Sequence, residues 1–516
     1  MRNASIASSA SPSSPRRRRL WRRVVLLVFL AVWGGTAYWH THKPLLEGMH
    51  VESSWQAVPT EDITFIADIT TADAYGRPIL SQAIFDEVLR IVRSARQVLV
   101  LDYFLFNAHR GIGADGAPTR PLSRELRDAV LERLQAQPQM RVLFITDPVN
   151  EVYGGEPSAD LALLRASGVQ VVVTNLDRLR DSNFLYSSLW RLGVGWWSSD
   201  GRGEGWLANP LNAGGDPITL RAWARLANFK ANHRKVIVGD DGSGALVGLV
   251  TSANPHDASS AHSNVAVKLS GPALAPLFAS EVSLARSMGW KGEITLPTPA
   301  GSTPDAANAE LAPVSDATAH VRILTEGGIR TALIERIQGA VNGEFIDVAM
   351  FYISDREIVE ALLAASRRGV AVRLILDPNK DAFGREKSGI PNRPVASELV
   401  AASDGAVRVR WYRTHGEQFH TKLIMVYGRD RLWLTLGSAN FTRRNLADYN
   451  LEANVALDVT RGSALALQVM EYFETLWENR APLGIEYTAD FGVYADPAQT
   501  QYWLYRIMES TGLSTF

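Results

Sequence analysis

The chain has 516 residues, 46% of them apolar and 21% charged, with a formal net charge of −1 and no cysteine. That length exceeds one ordinary domain, and the composition is globular with ample core material, which excludes a disordered or fibrous chain. The charge balance gives no field for steering polyanions, against a dedicated nucleic-acid binder, and the lack of cysteine excludes disulfides, thiolate chemistry and a cysteine-built zinc site.

Residues 1–19 read as a disordered basic tail, rich in Ser, Ala and Pro up to position 15. The segment 16-RRRRLWRR-23 then meets the apolar run 24-VVLLVFLAVWGGTAYW-39. With Leu20 and Trp21 this is roughly one bilayer span of about 20 residues. Arginines lie on its N-side and few follow, which predicts a single-pass anchor over 20–40 with its N-end in the cytoplasm. The body is then expected on the far side of a bacterial inner membrane, in the periplasm. A cleaved signal peptide is the alternative, with Gly35-Thr36-Ala37 as a small-x-small site. Trp33, Tyr38 and Trp39 suit a membrane interface.

The body repeats one plan. A helix over 82–95 carries Ile84, Phe85, Val88, Leu89 and Val92 on one face. A buried strand over 98–107, a helix over 123–137 and a strand over 141–148 follow. The second half runs helix 329–342, strand 345–354, helix 355–369 and strand 371–378. Both second strands close on Asp-Pro, at Asp147-Pro148 and Asp377-Pro378. Short strands at 169–175 and 407–412 precede the next motif in each half.

This alternation predicts an α/β fold of two pseudo-symmetric α/β/α halves. Each is expected to be a mainly parallel sheet flanked by helices, over 60–295 and 319–485, with the active site between them. Residues 296–318 read as the linker and 486–516 as a C-terminal extension. A Trp-rich insertion at 181–228, with 190-WRLGVGWW-197 and 205-GWLANP-210, breaks the symmetry. It is expected to have little secondary structure and a functional role.

Each half contains one polar constellation. The first copy, 231-ANHRKVIV-238 and 251-TSAN-254, supplies His233, Lys235, Asp240 or Asp241, Ser252 and Asn254. The second, 418-QFHTKLIMV-426 and 437-GSAN-440, supplies His420, Lys422, Asp430, Ser438 and Asn440. The His-to-Ser offsets are nearly equal, 252 − 233 = 19 and 438 − 420 = 18. His and Lys two apart share one face of a strand. Two His, two Lys, two Asn and two Ser in one cleft suit phosphodiester chemistry without a metal. Lysines and neutral donors offset the phosphoryl charge, one imidazole attacks phosphorus, and the other handles the protons. A metal site on His256, Asp257 and His262 has no recognisable ligand spacing. No metal and no cofactor are expected.

These residues resemble the paired HxKxxxxD signatures of the phospholipase D superfamily, over about 60–480. The first copy, 233-HRKVIVGD-240, fits as written, apart from Thr251 where the family usually has Gly. In the second, Tyr427 stands five residues after Lys422, and Asp430 comes three residues late. The resemblance implies a structural role for Asp240 and Asp430. It also implies a carboxylate about a dozen residues after the Asn that orients a catalytic His. Glu452 sits there (452 − 440 = 12), whereas the corresponding first-copy position is Ala266 (254 + 12), leaving the orienting group of His233 unassigned. The family's usual assignment makes His233 the nucleophile and His420 the acid and base.

Within the superfamily, three features favour a phospholipid substrate at a membrane: the anchor, the near-neutral charge, and an insertion whose Trp190, Trp196, Trp197 and Trp206 suit headgroups or an acyl groove. An N-terminal membrane segment before two such halves is similar to cardiolipin synthase-like proteins. That implies a phosphatidyltransferase acting on an alcohol such as phosphatidylglycerol. A phospholipase D uses the same residues with water. An anchored nuclease is the other alternative, with Arg221, Arg225, Lys230 and Arg234 as its only candidate track.

Overall fold

The computed structural model describes residues 15–73, 75–109, 119–196, 205–297, 311–382, 385–481, 485–514 and 516. The chain starts in one helix, α1 (Pro15–His42), whose stretch Arg18–His42 is long and apolar enough to cross a membrane. The first half then contributes β1 (Gln56–Pro59), β2 (Ile63–Ala72), β3 (Pro78–Ser81), α2 (Ile84–Ser94), β4 (Val98–Tyr103), α3 (Leu122–Ala136), β5 (Arg141–Thr146), α4 (Ala159–Ala166) and β6 (Gln170–Val173). After α5 (Phe184–Leu192) and α6 (Leu220–Leu226) come β7 (Lys235–Asp240), β8 (Leu246–Thr251), β9 (Asn264–Ser270) and α7 (Ala275–Ser287).

The second half repeats the order. It runs β10 (Thr318–Thr325), α8 (Gly327–Gly339), β11 (Phe345–Met350), α9 (Arg356–Arg367), β12 (Ala371–Leu376), a short hairpin of β13 (Asp381–Ala382) and β14 (Arg385–Glu386), α10 (Asn392–Ala402) and β15 (Val407–Tyr412). Next come β16 (Lys422–Tyr427), β17 (Arg431–Gly437), α11 (Arg443–Leu446), β18 (Ala453–Thr460), α12 (Ala464–Trp477), β19 (Thr488–Asp490) and α13 (Gln499–Thr511).

The α/β fold of two halves is present, but the sheets are not mainly parallel. Their orders are β3-β2-β9-β8-β7-β4-β5-β6 and β1-β10-β18-β17-β16-β11-β12-β15-β19. Parallel pairing is confined to β4-β5-β6 and β11-β12-β15. These neighbouring strands are joined by crossover helices. β7 and β8, like β16 and β17, are joined by tight turns, which impose antiparallel pairing. Sequence alternation of strands and helices signals the crossovers and misses the hairpins that carry the motifs.

Alternation along each strand divides the core. Leu99 and Leu101 face α2 and α3, whereas Val100 faces the other half. Likewise Ile424 and Val426 face α8 to α10, and Leu423 and Met425 face the first half. The two sheets therefore share one continuous core of Val236, Val265, Leu434 and Val455 between them. Each such fully buried side chain contributes about 1.5–3 kcal/mol. Local signals agree with this packing: the five apolar positions predicted on α2 are all buried, and Asp355 caps α9 by accepting from Glu357 and Ile358 N–H, worth about 1 kcal/mol.

One of the two terminal segments crosses between the halves and the other extends its own. β1, the first strand after α1, pairs with β10 of the second sheet. The C-terminal extension adds β19 to the same sheet and packs α13 against α10. Within the insertion the described residues form two short helices, α5 and α6, joined by segments of little regular structure. Its α5 packs on α1, with Trp33 Nε1 donating to the Leu185 carbonyl at 3.3 Å.

Candidate active site

His233 and His420 stand two residues before β7 and β16, in short extended segments that pair across the halves. His233 N–H donates to the Leu451 carbonyl at 2.9 Å, and Leu451 N–H donates to the Ala231 carbonyl at 3.1 Å. On the other side, Ser263 N–H donates to the Gln418 carbonyl at 3.0 Å. Each histidine is thereby set beside the residue that opens β18 or β9 in the opposite half. Two buried aspartates fix the segments from below. Asp147 accepts from Asn232 N–H at 2.7 Å, and Asp377 accepts from Phe419 N–H at 2.8 Å. Burial pushes these carboxyls up, to about 7 and about 6. Both belong to the repeated Asp-Pro, which was visible in the sequence without a role.

The cross-pairing determines what orients each imidazole. His233 Nδ1 donates to Glu452 Oε1 at 2.8 Å, so Glu452 serves the histidine of the other half. His420 Nδ1 donates to Asn264 Oδ1 at 3.1 Å. Asn264, not Ala266, is the counterpart of Glu452: the carbonyls of the next residues, Val265 and Ala453, accept from Ser252 and Ser438 N–H at 3.0 Å each. The first copy has only 264 − 254 = 10 residues where the second has 12, which hid the match.

Both serines support these orienting residues and are not on the cavity surface. The Ser252 hydroxyl donates to Asn264 Oδ1 at 2.9 Å, and the Ser438 hydroxyl donates to the Glu452 carboxylate. Asn445 donates to the same carboxylate. Burial alone would raise the Glu452 carboxyl, but His233, Lys235 and Ser438 hold it below the usual range, so it is ionised. Burial pushes His233 down to about 4 against the pull of Glu452. Burial and the neighbouring Lys422 and Lys235 push His420 well below its ordinary value.

With Nδ1 engaged on both rings, Nε2 remains for a cavity of about 470 Å³ that both histidines line, together with Asn254 and Asn440. The Asn254 Oδ1 accepts from Leu105 N–H at 3.2 Å, while the Asn440 Oδ1 is buried without a partner. The lysines stand behind the imidazoles. Lys235 Nζ donates to the His233 carbonyl at 2.7 Å and Lys422 Nζ to the His420 carbonyl at 2.9 Å, over the Phe104 and Phe351 rings. Burial lowers Lys235 to about 7 and Lys422 well below its usual value, so an incoming anion strengthens the charge on both.

The remaining predicted residues divide. Asp240 accepts from Arg96, Gln97, Val98 and Gly242 N–H, tying β7 to the start of β4. Asp430 does not repeat this. It is exposed in the β16-β17 turn, and Tyr427 takes the place of Asp240, donating to Asp347 at 2.8 Å. Trp206 is 73% exposed and away from the cavity, whereas Trp190 is buried. Trp197 and the Trp196 side chain lie outside the described residues. The candidate cationic track is not a track: Lys230 pairs with Asp181 in the interior, and Arg234 is fully buried against Glu281 and Glu326 at 3.0 and 2.8 Å. Of the proposed metal ligands, Asp257 accepts from Ser123, and His256 meets Ser259 and the His109 carbonyl. Among the described residues no group of three or more His, Asp or Glu is arranged to hold a metal ion.

Residues 333–477 match the family model described as cardiolipin synthase, PLD-like domain. No curated protein sequence matches the chain. The structure of phosphatidylserine synthase from Haemophilus influenzae Rd KW20 is similar, with a TM-score of 0.50 at 11% identity over 89% of this chain and 95% of that one. A phospholipase D family member, Nuc, from Salmonella typhimurium aligns at 22% identity and a TM-score of 0.25, over 31% of this chain and 95% of its own. At 11% identity the likeness to the synthase speaks to the fold alone.

Proposed function

Since the chain belongs to the phospholipase D superfamily, we propose that it is a membrane-anchored phosphatidyltransferase, cardiolipin synthase-like. It moves a phosphatidyl group from a phospholipid donor to an alcohol acceptor, with phosphatidylglycerol filling the acceptor role. The observation that carries this reading is the single cavity lined by both imidazoles, each held at Nδ1 by a residue of the opposite half.

His233 is the nucleophile. Its Nε2 attacks phosphorus, and the P–O bond to the leaving alcohol breaks as His420 passes a proton from Nε2 to the departing oxygen. The phosphorylated imidazole is cationic and still bears Nδ1–H, which the ionised Glu452 stabilises. His420 faces only the neutral Asn264, so its imidazolium is the stronger acid, as a proton donor requires. In the second step the acceptor hydroxyl gives its proton to His420 and attacks phosphorus, the P–N bond breaks, and His233 is restored. Lys235, Lys422 and the amides of Asn254 and Asn440 offset the phosphoryl charge. Cavity burial and the helix α1, read as an uncleaved inner-membrane anchor with a periplasmic body, favour a lipid donor.

Lipid mass spectrometry tests the reading. Purified chain incubated with phosphatidylglycerol, with and without glycerol or ethanolamine, is expected to yield cardiolipin. Phosphatidic acid as the sole product would replace the transferase with a hydrolase, and no turnover of any phospholipid would reject both.

A further inference from the structure

Lys387 and Arg444 have no part in the steps above, yet both line the same cavity. Arg444, on α11, is 7% exposed. Its Nη2 donates to the carbonyls of Gly512, at 3.2 Å, and Ser514, while its Nε is buried with no acceptor. Lys387 follows the β13-β14 hairpin, and its Nζ donates to the Tyr352 hydroxyl over the Phe351 and Tyr352 rings. Neither cation forms an ion pair with a described carboxylate. Burial draws Arg444 down to about 10. Carbonyls and ring faces offset part of the several kcal/mol that desolvating such a charge costs, and an anion is needed for the rest.

Lys387 lies on the His420 side, whereas Arg444 lies over the Phe229 ring at 5.4 Å, and Tyr352 neighbours both cations. Phe351 has its ring centroid 5.0 Å from that of His420, and the neighbouring Tyr352 meets both Lys387 and, at 6.2 Å between centroids, Phe516. The wall beside His233 is apolar instead. Phe104 lies 4.9 Å from that imidazole, and Phe104, Leu105, Val149 and Leu211 continue into a cluster with Leu45 and Met49 just after the anchor. The cavity thus has an apolar wall beside His233, and two cations without a described carboxylate partner, Lys387 by Phe351 and Tyr352 and Arg444 between Tyr352 and Phe229.

The geometry points to a second anion subsite, formed by Lys387 and Arg444, that grips a phosphate carried by the incoming alcohol. The acceptor class is then a phosphate-bearing polyol, whose free hydroxyl is delivered to His420, and not water or a neutral alcohol. This rests on the transferase reading and names its acceptor.

Full-length protein in detergent micelles is given phosphatidylglycerol as donor, with glycerol 3-phosphate and isotopically labelled glycerol competing as acceptors. Phosphatidylglycerol alone tests the lipid-borne phosphate. Wild type is expected to favour both phosphate-bearing acceptors over glycerol, and Lys387→Gln and Arg444→Gln to lower the ratio of phosphate-bearing to glycerol product at least tenfold each. Arg444→Lys restores part of the ratio. Equal losses with both acceptor types, or an unchanged ratio, overturn the subsite. Because Arg444 also holds the C-terminal segment, Lys387→Gln is the independent variant. Inorganic phosphate titrated by calorimetry separates the two ideas: wild type binds two per chain and the double variant one. A chain with two phosphate sites but no transfer keeps the subsite and loses the transferase, whereas one phosphate in both proteins overturns the subsite.

Discussion

The two half-sites share a backbone plan and differ in what surrounds each imidazole. His233 meets an ionised carboxylate, Glu452, and is followed by Arg234, buried against Glu281 and Glu326. His420 meets the neutral Asn264 and is followed by Thr421, whose hydroxyl pairs with that of Tyr472. A duplicated scaffold can therefore assign different roles to identical residues by changing their immediate partners. A carboxylate at Nδ1 favours the cationic ring, as the proposed phosphorylated nucleophile needs, and a neutral amide leaves the other ring the stronger acid, as the proposed proton donor needs.

Breaking the pair outright gives the largest effect. His233→Ala and His420→Ala are each expected to lower turnover at least a hundredfold with the fold intact by circular dichroism, since each serves a separate bond or proton transfer. Residual activity above about a hundredth in either variant would sink the paired mechanism. Next comes Glu452→Gln, which keeps an acceptor but removes the charge. A loss of about a hundredfold is expected in the rate of phosphoenzyme formation, measured with radiolabelled phosphate ester. A loss no larger than that of an Asn264 variant would mean the halves are not specialised.

Asn264→Asp sharpens the comparison from the other side. A carboxylate at that position favours the His420 imidazolium and raises its pKa, so the protonated acid persists to higher pH. The alkaline limb of the pH–rate profile should move upward, while the plateau rate of the fully protonated acid falls about tenfold because the acid is weaker. A limb that moves downward contradicts the acid role. The smallest effects belong to the supports: Asp147→Asn and Asp377→Asn are each expected to lower kcat by about three- to tenfold, since each keeps one acceptor for the segment before its histidine. A larger loss than that of Glu452→Gln would place the burden on backbone geometry instead of charge.

Short-range pattern made much of this legible. The His-x-Lys and Ser-Ala-Asn spacings identified both motif strands, and helical periodicity found α2 with its buried face. What lay hidden depended on contacts between distant segments. The match of Asn264 to Glu452 was obscured by a loop two residues shorter, and the pairing of 231–233 with 450–452 has no local signature. Asp430 looked like a displaced partner of Asp240, but only the fold reveals that Tyr427 and Asp347 have replaced that tie. Lys387 and Arg444 are ordinary surface residue types in sequence and become cavity cations only because a hairpin and the C-terminal segment fold over them.

The early strand β1 has a further consequence. It emerges from the ribosome long before β10, its partner, has been made. Until then the nascent protein carries an unpaired edge soon after α1, so its maturation calls for either a waiting period or a chaperone that shields that edge. Once stitched, the strand ties the C-terminal sheet to the segment that carries α1, so a nick in the connecting linker would leave both parts held together through β1.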